Sequence, residues 1–343
     1  MMVFLFFEIL LWVFPSMHIF YNFPSEMFTA AEEPLDYVLT PNFVGRLVSP
    51  DYKTSIVINS QGLRDYEHEY YNNNNNNNNN KFKILAVGDS FTFGPGVEAN
   101  ETFLTVIEKT LNVEMIKAGV PGYGTDNELA YFKKEGLKNK PDAVIVFYYV
   151  NDNDDNDDNA GRDRTVAFGA LVSKNRVTSM PQWKLYIYSN VFKLRTVRYL
   201  RQSYGVWKNQ HREVYKTGSL EENLFDKNNH KNSSDWINTF QLLKEFKEAM
   251  PEQTELIIAY IPRIEQVENP AYFKDYQDLD MPNKVLGDIA YHQNITYIDV
   301  TQTMREINLT GLYNTRYGDR HFNKYGHHLY GMLVAKELQI GLS

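Results

Sequence analysis

Ser90 lies in the segment Val87-Gly88-Asp89-Ser90-Phe91-Thr92, where an apolar run ends. A serine hydroxyl is a weak nucleophile until a base stands beside it. A position between a strand end and the next helix exposes the hydroxyl. The helix N-terminus also offers unpaired backbone N–H groups to a developing oxyanion. Taken alone, the segment has two other readings. One is a turn or cap serine. The other is a phosphate loop, because Gly88, Gly94 and Gly96 follow the same run. That loop lacks a Gly-Lys-Ser/Thr ending and the Gly-x-Gly-x-x-Gly spacing. A second group stands near the other end, in Gly318-Asp319-Arg320-His321-Phe322-Asn323. The His321 imidazole can take a serine proton, and Asp319 can fix its tautomer and stabilise the imidazolium. A lone loop histidine is ordinarily just solvated. A phosphate loop gives no reason for an Asp-His pair, whereas acyl transfer through serine does.

For these residues to meet, the chain between them must fold back on itself. Short apolar runs at residues 83–87, 113–118, 143–149, 256–261 and 295–300 read as strands. Residues 101–111, 125–138, 236–250, 283–292 and 324–338 read as helices, with Thr125 as N-cap and Glu128 as its capping-box partner. The run 143–149 is apolar throughout, as expected of a parallel strand covered on both faces. This alternation predicts an α/β fold: a doubly wound, flavodoxin-like parallel sheet of about five strands with helices on both faces. Ligands bind such sheets outside the carboxyl ends of the strands. Ser90, the loop 119–124 and Asn151 all follow predicted strands, so one sheet edge gathers them.

Four segments, taken together and in order, resemble the conserved blocks of the GDSL/SGNH hydrolase superfamily. They are Gly88-Asp89-Ser90-Phe91-Thr92-Phe93-Gly94, Ala118-Gly119-Val120-Pro121-Gly122-Tyr123-Gly124-Thr125-Asp126, Tyr149-Val150-Asn151-Asp152 and Asp319-Arg320-His321-Phe322-Asn323. The resemblance spans residues 83–340. It implies a serine esterase that hydrolyses O-acyl esters through an acyl-enzyme on Ser90, with O-acetyl among the acyl groups. His321 would be the base, Asp319 its orienting partner, and the Ser90 N–H, Gly122 N–H and Asn151 amide the oxyanion hole. Asp89 would hold the turn. No cofactor or metal is implied. Two positions depart from the family pattern. Tyr149 stands where the third block usually has glycine, which puts a bulky ring near the site. One residue, not two, separates Asp319 from His321, which leaves Asp319 the less secure partner.

The rest of the 343-residue chain bounds the setting. Residues 1–14 are apolar except for Glu8, and 1–23 read as a membrane anchor or signal segment. Residues 24–80 read as an irregular N-terminal extension with short β-like pieces, such as 54–59, ending in the polyasparagine tract 72–80. Residues 81–343 form the hydrolase domain, with 152–235 as an inserted cap. The net charge is -8 and no run is rich in Lys and Arg, which argues against nucleic acid as a partner. There is no cysteine, so thiolate chemistry and disulfides are excluded. The Asp/Asn-rich run 152–159 reads as a solvated loop, since the EF-hand frame fails at Ala160. His327 and His328 fall on the last helix, in surface or packing positions. The expected partner is an acylated carbohydrate or small ester, met on the extracytoplasmic face of a membrane. Two alternatives stay open. One is an O-acyltransferase on an envelope polysaccharide that uses the same triad. The other is a catalytically silent glycan-binding module.

Overall fold

The run Ala143–Tyr149 presents apolar side chains to both sides, and in the computed structural model it is the middle strand of a five-stranded parallel sheet. The residues described are 2–13, 23–49, 51–68, 81–152, 164–191, 194, 196–197, 200, 204, 234–268, 278–314 and 319–341. The polyasparagine tract, most of the acidic run after Asp152 and much of the insertion lie outside them. The strands are β1 (Phe28–Ala30), β2 (Tyr37–Leu39), β3 (Val44–Val48), β4 (Lys53–Val57), β5 (Lys83–Gly88), β6 (Glu114–Gly119), β7 (Ala143–Tyr149), β8 (Arg164–Ala167), β9 (Ala170–Ser173), β10 (Glu255–Ile261) and β11 (Thr296–Asp299). The helices are α1 (Met2–Val13), α2 (Ser90–Phe93), α3 (Phe103–Leu111), α4 (Thr125–Lys134), α5 (Lys174–Ser179), α6 (Gln182–Val191), α7 (Ser234–Ala249), α8 (Ile264–Val267), α9 (Met281–His292), α10 (Thr301–Ile307) and α11 (Lys324–Gly341).

The main sheet runs in the order β11-β10-β7-β5-β6. Alternate residues of each strand feed two separate cores, as the two-residue repeat of a strand requires. Leu85, Val87, Val144, Val146 and Tyr148 join one core, closed by Leu129 and Phe132 of α4 and by Leu243 and Phe246 of α7. Ile84, Ala86, Ala143, Ile145 and Phe147 join the other, closed by Phe103 and Ile107 of α3 and by Val334 and Leu338 of α11. The sheet is therefore wound on both faces. From β5 the chain passes to β6 on one side and then returns to β7 on the other. The topological switch thus falls at the carboxyl end of β5, where Ser90 begins α2.

Three features differ from the sequence reading. The extension is more regular than its one β-like piece at 54–59 suggests: that piece is β4, β3 pairs with it, and β1 pairs with β2, both pairs antiparallel. Strands this short show no period. Their order comes from packing Met27, Tyr37, Leu47 and Ile56 into the same core as Val87 and Phe93. Gly124, not Thr125, is the N-cap of α4, and no side-chain cap bond forms. Thr125 is fully buried instead. Finally, α1 has 12 residues, about 18 Å of helix against roughly 30 Å of bilayer hydrocarbon. Among the described residues no helix is long and apolar enough to cross a membrane. Residues 14–22 of the expected anchor lie outside the described residues.

Candidate active site

β5 ends at Gly88, and Asp89 caps the single turn of α2, its Oδ1 accepting the Phe91 N–H at 2.8 Å. The turn is pressed onto the neighbouring strand. A Cβ on Gly119, at the end of β6, would lie 2.3 Å from the Phe93 nitrogen and 2.5 Å from the Thr92 carbonyl carbon. Only glycine allows that approach. Ser90, the first residue of α2, is thereby held at the helix N-terminus with its hydroxyl facing the loop before α11.

His321 comes from that loop. Its Nε2 lies 2.7 Å from Ser90 Oγ. Its Nδ1 lies 2.7 Å from Asp319 Oδ1, which also accepts the His321 backbone N–H at 3.0 Å. An ionised Asp319 accepts the Nδ1 proton, which leaves Nε2 as the acceptor for the serine hydroxyl. The loop is fixed by the Tyr313–Phe322 bridge and by the Asn314 N–H, which donates to the His321 carbonyl at 2.8 Å. Burial works to raise the Asp319 pKa. The His321 ring and N–H and the Tyr52 hydroxyl outweigh it, so the carboxyl sits below its ordinary value. Asp89 goes the other way. Burial pushes its carboxyl up, although the His321 charge, the Phe91 N–H and the Asn151 side chain oppose the shift.

The structure brings Ser90, His321 and Asp319 into direct contact. Asn151 follows β7, and its side chain hydrogen-bonds Asp89, the residue before Ser90. Gly122 follows β6, the other neighbour of β5, in a left-handed turn at φ 84°. The Tyr149 ring lies tilted 4.3 Å from Phe91, which in turn lies 4.7 Å from His321, so a bulky ring does stand near the site. His327 is buried and His328 exposed. Among the described residues no group of three or more His, Cys, Asp or Glu is placed to hold a metal.

Three side chains at the site carry no sequence signal. Tyr52 donates its hydroxyl to Asp319 Oδ2 at 2.8 Å. Arg64 donates to the carbonyls of Phe93 and Gly94 at 3.0 and 2.6 Å. Tyr37 donates to the Pro121 carbonyl at 3.0 Å. All lie in the extension, far from any motif.

A nucleophile, base and carboxylate in this order, at the switch point of a doubly wound sheet, define a serine-dependent acyl hydrolase site. The model of the GDSL-like lipase/acylhydrolase family matches residues 86–329, and the chain belongs to that family. It is a carboxylic ester hydrolase. Similar solved structures include a lipase/acylhydrolase from Enterococcus faecalis, 16% identical over 75% of this chain and 95% of that one, with a TM-score of 0.39. A catalytic mutant of the acetylxylan esterase Axe2 from Geobacillus stearothermophilus is 16% identical over 75% and 92%, with a TM-score of 0.39. A two-domain esterase active on acetylated mannans is 13% identical over 76% and 49%, with a TM-score of 0.41. No curated protein matches the chain.

Proposed function

We propose that the protein is a serine esterase that removes short O-acyl groups, O-acetyl foremost, from a carbohydrate. Ser90 Oγ attacks the ester carbonyl while His321 Nε2 takes its proton. Asp319 holds the ring and stabilises the imidazolium. The oxyanion is received by the Ser90 N–H, the Gly122 N–H and the Asn151 amide. That amide carries two hydrogens, so one serves Asp89 while the other serves the oxyanion. The carbonyl–oxygen bond to the sugar then breaks, and His321 protonates the departing sugar oxygen, which leaves as a hydroxyl. Water, activated by the same ring, releases the acyl group from Ser90. The observation that carries this reading is the unbroken chain Ser90 Oγ to His321 Nε2 to Asp319 Oδ1, with both links at 2.7 Å. The same chain argues against a catalytically silent module.

The Tyr149 ring supports a short acyl group. The exposed Trp183 and Tyr186 rings of α6 are flat faces of the kind on which apolar sugar faces stack. The exposed Leu5, Phe6 and Ile9 of α1 support attachment to a membrane surface through residues 1–23, and the extracytoplasmic side of that membrane is part of the same proposal. A variant lacking residues 1–23 should then leave the membrane fraction of the host.

The test is turnover of p-nitrophenyl acetate and octanoate, each with and without a polysaccharide acceptor. Acetate should be favoured in kcat/KM by about ten-fold or more and should leave as free acetate without acceptor. Acyl release only in the presence of acceptor would make the protein a transferase. Absence of turnover by folded protein would sink the enzymatic reading.

A further inference from the structure

The family match begins at residue 86, yet the site is held from upstream of it. Only one residue separates Asp319 from His321, so both ride on the same loop and no helix or strand fixes one against the other. The Asp319 side chain is 4% exposed. Its Oδ1 takes both N–H groups of His321. Its Oδ2 would face a costly lack of donors in so buried a place, and the Tyr52 hydroxyl supplies one at 2.8 Å. Tyr52 is itself well seated. Its carbonyl accepts the Ser49 N–H at 2.8 Å, and a Cβ on Gly96 would lie 2.9 Å from its ring. The ring therefore rests on the loop that follows the nucleophile helix.

Arg64 holds the other end of that helix. One helical turn does not stand alone in water. The buried guanidinium gathers the carbonyls of Phe93, Gly94 and Val97, with the Val97 contact at 2.7 Å, and lies 5.0 Å from the Phe93 ring. Tyr37 does the same for the loop carrying Gly122. Its hydroxyl donates to the Pro121 carbonyl, and its own carbonyl accepts the Tyr123 hydroxyl.

We infer that the extension is a working part of the catalytic centre, with Tyr52 a positioning residue that holds Asp319 in line with His321. Arg64 and Tyr37 fix the loops that carry Ser90 and Gly122. The inference rests on the serine esterase reading of this site.

The test is Tyr52→Phe in the full chain, with active sites titrated by a fluorophosphonate. One hydrogen bond to a charged carboxylate is worth about ten-fold in rate. Per active site, kcat should fall by that factor with KM unchanged. Losing a donor leaves more negative charge on Asp319, so the acid limb of kcat/KM should move to higher pH. The titratable groups around the pair are Tyr52, Asp89 at the start of α2 and His327 of α11. The substitution alters the first alone. In an Asp319→Ala background, Tyr52→Phe should cost nothing further, because the acceptor of the bond it removes is already gone. Wild-type kcat and an unmoved limb in Tyr52→Phe would overturn the inference, as would equal losses in both backgrounds. Ser90→Ala separates the two claims. If it abolishes turnover while Tyr52→Phe behaves as wild type, only the inference fails. If Ser90→Ala keeps turnover, the esterase reading fails with it.

Discussion

At the scale of single residues, Ser90 owes its reactivity to position and company. The helix N-terminus exposes its hydroxyl, and His321 supplies the base. His321→Ala should lower kcat by about 10⁴-fold or more, because a triad acts as a unit. Asn151→Ala should cost about 10²–10³-fold through the loss of one oxyanion donor. It should also lose more kcat than binding, and steady-state kinetics on p-nitrophenyl acetate read both. A kcat within a few fold of wild type in Asn151→Ala would remove that residue from the oxyanion hole. Ser90, His321 and Asp319 were legible because each sits in a dense local motif. Tyr52 was not, because its partner Asp319 is 267 residues away and nothing near Tyr52 marks it. Arg64 was hidden for a related reason. Its partners are backbone carbonyls, which leave no trace in the sequence of the residues that supply them.

At the scale of elements, the site depends on how closely β6 approaches α2. The atoms nearest a Cβ on Gly119 are backbone atoms of Thr92 and Phe93. They cannot swing aside as a flexible side chain would, so Gly119→Ala must displace α2 or the end of β6. A shift of about 1 Å at a nucleophile costs on the order of 10²-fold. We expect a kcat loss of that size with a lowered melting temperature, both measured on the purified variant. Wild-type kcat would show that the turn has more room than the structure gives it. Elements of this kind were readable where apolar runs are long. β7 is apolar along its length because both its faces are covered, and β10 repeats the pattern. Of the extension strands only β4 was readable, as the β-like piece 54–59, and β1 to β3 were not. Those three, of three to five residues, carry too few side chains to show a period. They are ordered by the core they join.

At the scale of the whole molecule, the buried His327 links stability to pH. Its Nδ1 accepts the Phe103 N–H at 3.2 Å and its ring stacks 5.5 Å from Phe103. Burial foremost, then the charges of Arg64 and His321, hold its pKa down to about 3 from 6.5. Between those two values the unfolded chain binds a proton that the folded chain refuses. Stability should therefore fall as pH falls through that window, by up to about 1.4 kcal/mol per unit from this ring. Asp319 adds to the loss at lower pH, since a depressed carboxyl gives up its stabilisation as pH drops through its folded value. Urea unfolding at pH 7 and pH 5 should show a smaller acid loss in His327→Gln than in wild type. Equal losses would remove His327 from the account. The central claim, that one serine in this molecule is made nucleophilic by His321, has a direct measurement. Folded protein is treated with a fluorophosphonate at neutral pH and its intact mass and peptides are determined. The expected result is a single adduct on Ser90 that is lost in His321→Ala. An unlabelled protein, an adduct on another residue, or undiminished labelling of Ser90 in His321→Ala would contradict it.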